Sequence, residues 1–312
     1  MDLDLNNDLS SRDLKSNTVL PFAIVNRFQH CNETVWMPLN QNALIIRYDA
    51  AYGGTMYFRP VVGMRKDWDM TVGKDFHLEW SDPAIKSETM VHISTNNNAY
   101  HGAPFLSCGA LASGQFIKAE SYPSRAYPRD MYRHDGSPDS YKYVYQPGKI
   151  AFQMNSNNPL YIVCVIGPSK TSNIATIRNL ASLGDATMSE MERSINSKIS
   201  NVSISSNLAY FDKSVMWALA SVDSLTMNVS DRGIYAGLHW FTQYWGRDSF
   251  ISLQGACLIS GDFQLARQFI NTMANAQDIS YQSKTFGRVP NILKNDDEPN
   301  NYETTDGNYV KL

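Results

Sequence analysis

The chain has 312 residues, 43% of them hydrophobic and 18% charged, with a net charge of −3. That length gives a prior of two domains, and that composition belongs to a folded globular protein, not a disordered one. No dense Lys/Arg stripe is present to displace counterions from a polyanion, so nucleic acid is not expected as a partner.

The N-terminus, MDLDLNNDLSSRDLK, is acidic and polar. A secretory leader needs a basic start and an apolar core, and no apolar run reaches the ~20 residues that cross a bilayer. A cytoplasmic protein with no membrane contact is therefore expected. From about Thr18 to Gly167 the pattern is short apolar runs broken by polar turns: TVLPFAIV, ALIIRYD, TMYFRPVV, DFHLEW, TMVHIST, YKYVY, KIAFQM and LYIVCVIG. Most are rich in β-branched or aromatic residues, and Gly, Asn, Asp and Pro cluster between them. This predicts an antiparallel sandwich or barrel. The stretch from Ser121 to Ser140 is rich in Pro, Tyr and charge and reads as a long ordered loop. Cys31, Cys108, Cys164 and Cys257 are scattered without a CxxC, so they read as buried thiols and not as a disulfide framework. The six histidines show no metal-ligand spacing.

After Pro168 the period changes. Residues from about Asn173 to Ser200 favour helix and form an expected linker. The segment from Leu208 to Met227 places Phe211, Val215, Ala218, Leu219, Val222 and Leu225 on one helical face. Asp248 to Ile259 reads as a second helix, ended at Gly261 by a residue that tolerates the left-handed conformation. Asp262 then caps a third helix, with Leu265, Ala266, Phe269, Ile270 and Met273 on its apolar side. The expected domain limits are 1–168 for the β region, 169–206 for the linker and 207–312 for the helical part.

The chemistry concentrates in AGLHWFTQYWGRDSFISLQGACLISGD, Ala236 to Asp262. Trp240, Phe241, Tyr244 and Trp245 stand just ahead of Gly246, Arg247 and Asp248. Aromatic rings cover the apolar faces of a sugar, while Arg donates to hydroxyls and Asp accepts from them, so this pair suits a vicinal diol. The alternative is that Asp248 is a helix N-cap and Arg247 its salt-bridge partner. His239, beside Trp240, is read as structural.

The segment resembles the WGRD motif that opens the catalytic barrel of glycogen-debranching amylo-α-1,6-glucosidases, especially the shorter archaeal and bacterial type. The resemblance continues through FISLQGACLISGDFQLARQFI, GRVPN and YETTD, and more weakly upstream in YKYVYQPGKIAFQM and MYFRPVVGMRKDW. Its strong part runs from about Leu208 to Tyr309. The chain departs from the family pattern at Glu303, where Asn is usual, at Gly307, and at Tyr309–Val310.

This resemblance implies an antiparallel β-supersandwich followed by an (α/α)6 barrel of the glucoamylase type, of which the segment after Leu208 would supply only the first helices. Arg247, Asp248 and Asp306 would line a glucose pocket, Trp245 and Tyr302 would shape its walls, and Gly287, Pro290 and Asn291 would form a loop beside it. The implied reaction is hydrolysis of α-1,6 branches in an α-glucan or branched dextrin, by an inverting acid/base mechanism that needs two carboxyls about 6.5–9.5 Å apart and neither metal nor cofactor. The family's later acid and base motifs do not occur, so Asp248 is the one catalytic candidate, and hydroxyl binding is the role favoured for it. Two alternatives to a partial enzyme stay open: an inactive glucan-binding or regulatory protein, and one subunit of a split enzyme. Phe211, Val215, Leu219, Phe250 and Leu253 are expected to lack cover on some sides. That points to a homo-oligomer, a complementary barrel fragment or a collapsed helix arrangement, since each such side chain gains about 1.5–3 kcal/mol on burial.

Overall fold

The computed structural model describes residues 14–62, 76–81, 87–95, 105–118, 124–126, 143–200, 202, 206–229, 231–238, 241, 243–294 and 299–302. The chain divides into two compact units, Met1–Glu192 and Arg193–Leu312.

In the first unit the apolar runs fold as strands: β1 (Leu14–Val19), β2 (Ile24–Phe28), β3 (Cys31–Trp36), β4 (Ala43–Ala50), β5 (Gly54–Phe58), β6 (Phe76–Trp80), β7 (Thr89–Thr95), β8 (Phe105–Ala110), β9 (Gly114–Lys118), β10 (Ser124–Ala126), β11 (Tyr143–Tyr145), β12 (Gly148–Met154) and β13 (Leu160–Gly167). Among the described residues, eight of these form one sheet in the order β1-β2-β3-β4-β13-β8-β7-β6, and β5-β12-β9 form a second. Their pairings are antiparallel. The expected sandwich is present. LYIVCVIG reads as a nearly unbroken apolar run because β13 is central and covered on both faces. Of the stretch from Ser121 to Ser140, residues 124–126 form β10, paired with β11. The rest lies outside the described residues.

Two cores flank the large sheet. On one face Val91, Ile93, Cys108 and Ile162 meet Met56, Phe58, Ile150 and Phe152 of the small sheet. Tyr145, fully buried, stacks on Phe76 at 4.7 Å between centroids. On the other face Trp36, Ile45, Met90, Val163 and Val165 meet Ile177 and Leu180. Those two residues belong to helix α1 (Lys170–Leu183), so part of the expected linker closes the first unit's core. Ser169 caps α1 by accepting from the Ser172 amide, and Gly184 ends it at a positive φ of 51°. Helix α2 (Asp185–Ser200) follows. Near its start, Thr187 Oγ1 accepts from Trp36 Nε1 at 2.9 Å, and Asp185 binds Arg47 at 2.6 Å.

The second unit contains α3 (Ala209–Leu225), a hairpin of β14 (Thr226–Val229) and β15 (Asp231–Ile234), β16 (Tyr244–Trp245), α4 (Gly246–Leu253), a π-helical turn over Gln254–Ile259, α5 (Phe263–Asn275) and β17 (Ile292–Leu293). The three expected helices are present. The hairpin interrupts them because Asn228, Asp231 and Gly233 are poor helix formers. Gly261 adopts φ 79°, and Asp262 caps α5 through the Leu265 amide at 2.9 Å. The core gathers Ile234, Leu253, Cys257, Leu265, Ala266, Phe269 and Met273.

Of the five side chains expected to lack cover, Phe211 is exposed, Val215, Leu219 and Phe250 are half-buried, and Leu253 is buried in the core. Ile251 and Ile259 instead stand out, at 71% and 72% exposure. Among the described residues no helix is long and apolar enough to cross a membrane.

Candidate functional site

The WGRD segment sits where a short strand turns into a helix. Tyr244 and Trp245 pair with Leu293 and Ile292, and the ladder continues as the Gly246 amide donates to the Asn291 carbonyl at 2.8 Å. This joins the start of α4 to the GRVPN loop. That loop is built around Gly287, whose φ of 78° suits glycine and whose amide donates to the Asp278 carbonyl at 2.7 Å. Pro290 and Asn291 behind it are buried.

Tyr244 is the buried anchor. Its ring is fully enclosed, its hydroxyl donates to the Met227 carbonyl at 3.2 Å, and a Cβ on Gly233 would lie 2.8 Å from the ring. Gly233→Ala is therefore expected to destabilise the second unit by about 1–3 kcal/mol, because a fully buried ring has no room to step aside. Urea unfolding would measure this. An unchanged midpoint would show that Tyr244 can swing away.

Trp245 occupies the N-cap position of α4 without a side-chain cap, and Asp248 lies in the helix's first turn. This corrects the N-cap alternative for Asp248. A carboxylate there still gains from the positive end of the helix, by about 0.3–1 kcal/mol. Arg247 Nε and Asp248 Oδ2 are 3.8 Å apart, and the two side chains are 47% and 42% exposed. That separation is too long for a hydrogen bond, and an exposed pair of this kind contributes about 1 kcal/mol or less. Among the described residues the Asp248 carboxylate accepts no hydrogen bond. Phe241 stands edge-on to Trp245 at 5.8 Å.

Two buried polar atoms at this junction have no hydrogen-bond partner among the described residues: Trp245 Nε1, a donor, and Asn291 Oδ1, an acceptor. Nothing in the residue pattern foretells this, because it depends on the long-range pairing of β16 with β17. Tyr302 is used differently. Its hydroxyl donates to the Ala276 carbonyl at 2.7 Å, just past the end of α5, and its own carbonyl accepts from Arg288 at 3.3 Å. Asp306, Glu303, Gly307, Tyr309, Val310, His239 and Trp240 lie outside the described residues. A separate cavity of about 440 Å³ in this unit is lined by Leu219, Ala220, Leu265 and the Lys198–Asp223 ion pair, and by none of the predicted sugar-site residues. Among the described residues no cluster of His, Cys, Asp and Glu could hold a metal.

Residues 205–311 match the family model described as amylo-alpha-1,6-glucosidase. The match covers about the C-terminal third of the chain. The matched segment holds Trp245, Arg247, Asp248, Asn291, Tyr302 and Asp306, so every predicted site residue falls inside it. The chain is also similar to a bacterial glucoamylase solved in complex with acarbose, at 12% identity and a TM-score of 0.47, over 90% of this chain and 43% of that one. It thus spans less than half the length of that glucoamylase. A search among curated proteins finds no match.

Proposed function

We propose that the chain is the glucan-binding part of a debranching-type glycoside hydrolase, acting on α-1,6-linked glucose in an α-glucan or branched dextrin. In this reading residues 1–168 form the supersandwich domain, 169–206 the linker and 207–312 the opening helices of an (α/α)6 barrel. The observation that carries it is that two buried polar atoms in the WGRD and GRVPN segments, Trp245 Nε1 and Asn291 Oδ1, have no partner among the described residues. A buried polar atom left unpaired costs about 1–3 kcal/mol, so such atoms in a folded protein usually answer to a ligand or ordered water. A pyranose offers what this set lacks: hydroxyls that donate and accept in alternation, and a flat apolar face for the Phe241–Trp245 wall.

In this assignment Asp248 and Asp306 accept from neighbouring hydroxyls, Arg247 donates, and Trp245 and Tyr302 shape the walls. Asp248 binds and does not catalyse. Inverting hydrolysis would require a general acid and a general base in addition.

Titrating the wild type and Asp248→Asn with isomaltose by calorimetry tests this reading. Asn keeps the size and polarity of the first helical turn but removes the charge, so near-normal thermal stability is expected with affinity weakened about tenfold or more. Equal affinities would remove Asp248 from the site. Absence of binding by either protein would sink the glucan reading.

A further inference from the structure

In the first unit, Cys164 on β13 lies directly opposite Cys108 on β8 in the antiparallel register. Directly opposed residues in such a pair share one face of the sheet, with Cα atoms about 4.5–5.5 Å apart, inside the ~4.4–6.8 Å span that a disulfide bridges. Neither thiol is in a disulfide. Their access to solvent differs. Cys108 is 3% exposed, whereas Cys164 is half-buried. Both line an apolar groove of about 570 Å³, whose other walls include Leu44, Ile46, Phe58, Leu106 and Ile166. A small neutral oxidant can therefore reach one sulfur from the groove while the second waits behind it.

We infer that Cys108 and Cys164 form a cross-strand dithiol that a small peroxide converts reversibly to a disulfide, with Cys164 as the attacking sulfur and Cys108 as the resolving one. In the first step the Cys164 sulfur attacks hydrogen peroxide, the O–O bond breaks, and Cys164 becomes a sulfenic acid with release of one water. In the second the Cys108 sulfur attacks the Cys164 sulfur, the S–O bond breaks, and the hydroxide leaves as a second water with the Cys108 proton. Two thiols and one peroxide give one disulfide and two waters, and the two electrons lost by sulfur reduce the peroxide.

The other cysteines are poorly placed for this chemistry. Cys31 and Cys257 are buried, and burial pushes both thiols up to about 11. Cys108 is also held as a thiol, by its interaction with Cys164 and by burial. The reactive end of the pair is thus its more exposed sulfur, while Cys108 acts only once the Cys164 sulfur has become electrophilic.

The test uses the full chain, treated with hydrogen peroxide and digested under non-reducing conditions. The expected result is an intramolecular link between the peptides that carry Cys108 and Cys164, with loss of two hydrogens and full reversal by dithiothreitol. Cys108→Ala should leave Cys164 trapped as a sulfenic acid that a dimedone probe labels, whereas Cys164→Ser should leave Cys108 unlabelled. Peptide mapping of the wild type needs no variant to fold. A link through Cys31 or Cys257, a cross-link between two chains, or a sulfenic acid persisting at Cys164 in the wild type would overturn the assignment.

Discussion

Phe269→Ala is expected to destabilise the second unit by about 3–5 kcal/mol, the usual cost of deleting a large ring from a core that cannot collapse around the hole. Phe269 is fully buried, meets Phe250 edge-on at 5.3 Å, and sits among Ile234, Leu253, Cys257 and Leu265. Those neighbours come from β15, α4, the π turn and α5, so several elements would have to move to refill the space. Ile251→Ala and Ile259→Ala make the contrast, because those side chains are 71% and 72% exposed and should cost no more than about 0.5 kcal/mol each. Urea unfolding of the three variants at pH 7 gives the comparison. If the isoleucine variants lose as much as Phe269→Ala, their face is covered in solution, as the expected homo-oligomer or complementary fragment would require.

Acidification should weaken the first unit through His92. The imidazole is 4% exposed on β7, its Nδ1 is 2.9 Å from Ser107 Oγ, and burial pulls its pKa down from the ordinary 6.5 to about 4, with Lys170 adding to the effect and Glu79 opposing it. The sign follows from which state takes the proton first. Below pH 6.5 an unfolded chain protonates this imidazole, whereas the folded chain resists until about pH 4, so stability falls as pH drops through that window and is fully retained above it. The whole loss attributable to His92 is about 3 kcal/mol. His92→Phe, measured by thermal unfolding from pH 7.5 to 4, should flatten this part of the profile. A slope that persists unchanged would assign it to carboxylates. The effect reaches α1, because Asn173 also donates to Ser107 Oγ, at 3.1 Å, and to the Val165 carbonyl, at 3.3 Å.

The strands that could be read from sequence were those whose burial pattern matches their position. LYIVCVIG is apolar throughout because β13 is covered on both faces. FLSCGA, by contrast, gives little strand signal, with Ser, Cys, Gly and Ala as its last four residues. It is nevertheless the interior strand β8, between β13 and β7, and its small residues are a consequence of crowding: a Cβ on Gly109 would lie 2.4 Å from the Thr89 carbonyl oxygen. CNETVW hides β3 for a different reason. Its polar alternates are used in cross-strand contacts, as when Tyr48 donates to Glu33 at 2.7 Å and Asn26 donates to the same carboxylate at 2.8 Å.

The candidate site was legible as a motif but not as an arrangement. Spacing suggested that α4 starts at Asp248, whereas pairing of Trp245 with Ile292 sets the strand-to-helix turn and starts the helix at Gly246. The unpartnered atoms of Trp245 and Asn291 arise from that same pairing. No local pattern encodes them.

The short ladder between β16 and β17 has a thermodynamic meaning beyond its two residue pairs. It closes a loop that contains α4, the π turn and α5, so its two strands stay together only while everything between them is folded. It works as a clasp. Any molecule that binds only while the clasp is closed would add its binding energy to the stability of the enclosed helices. At a hundred times its Kd such a molecule would contribute about 2.7 kcal/mol, turning a contact at the mouth of the site into a measurable resistance of the helices to unfolding.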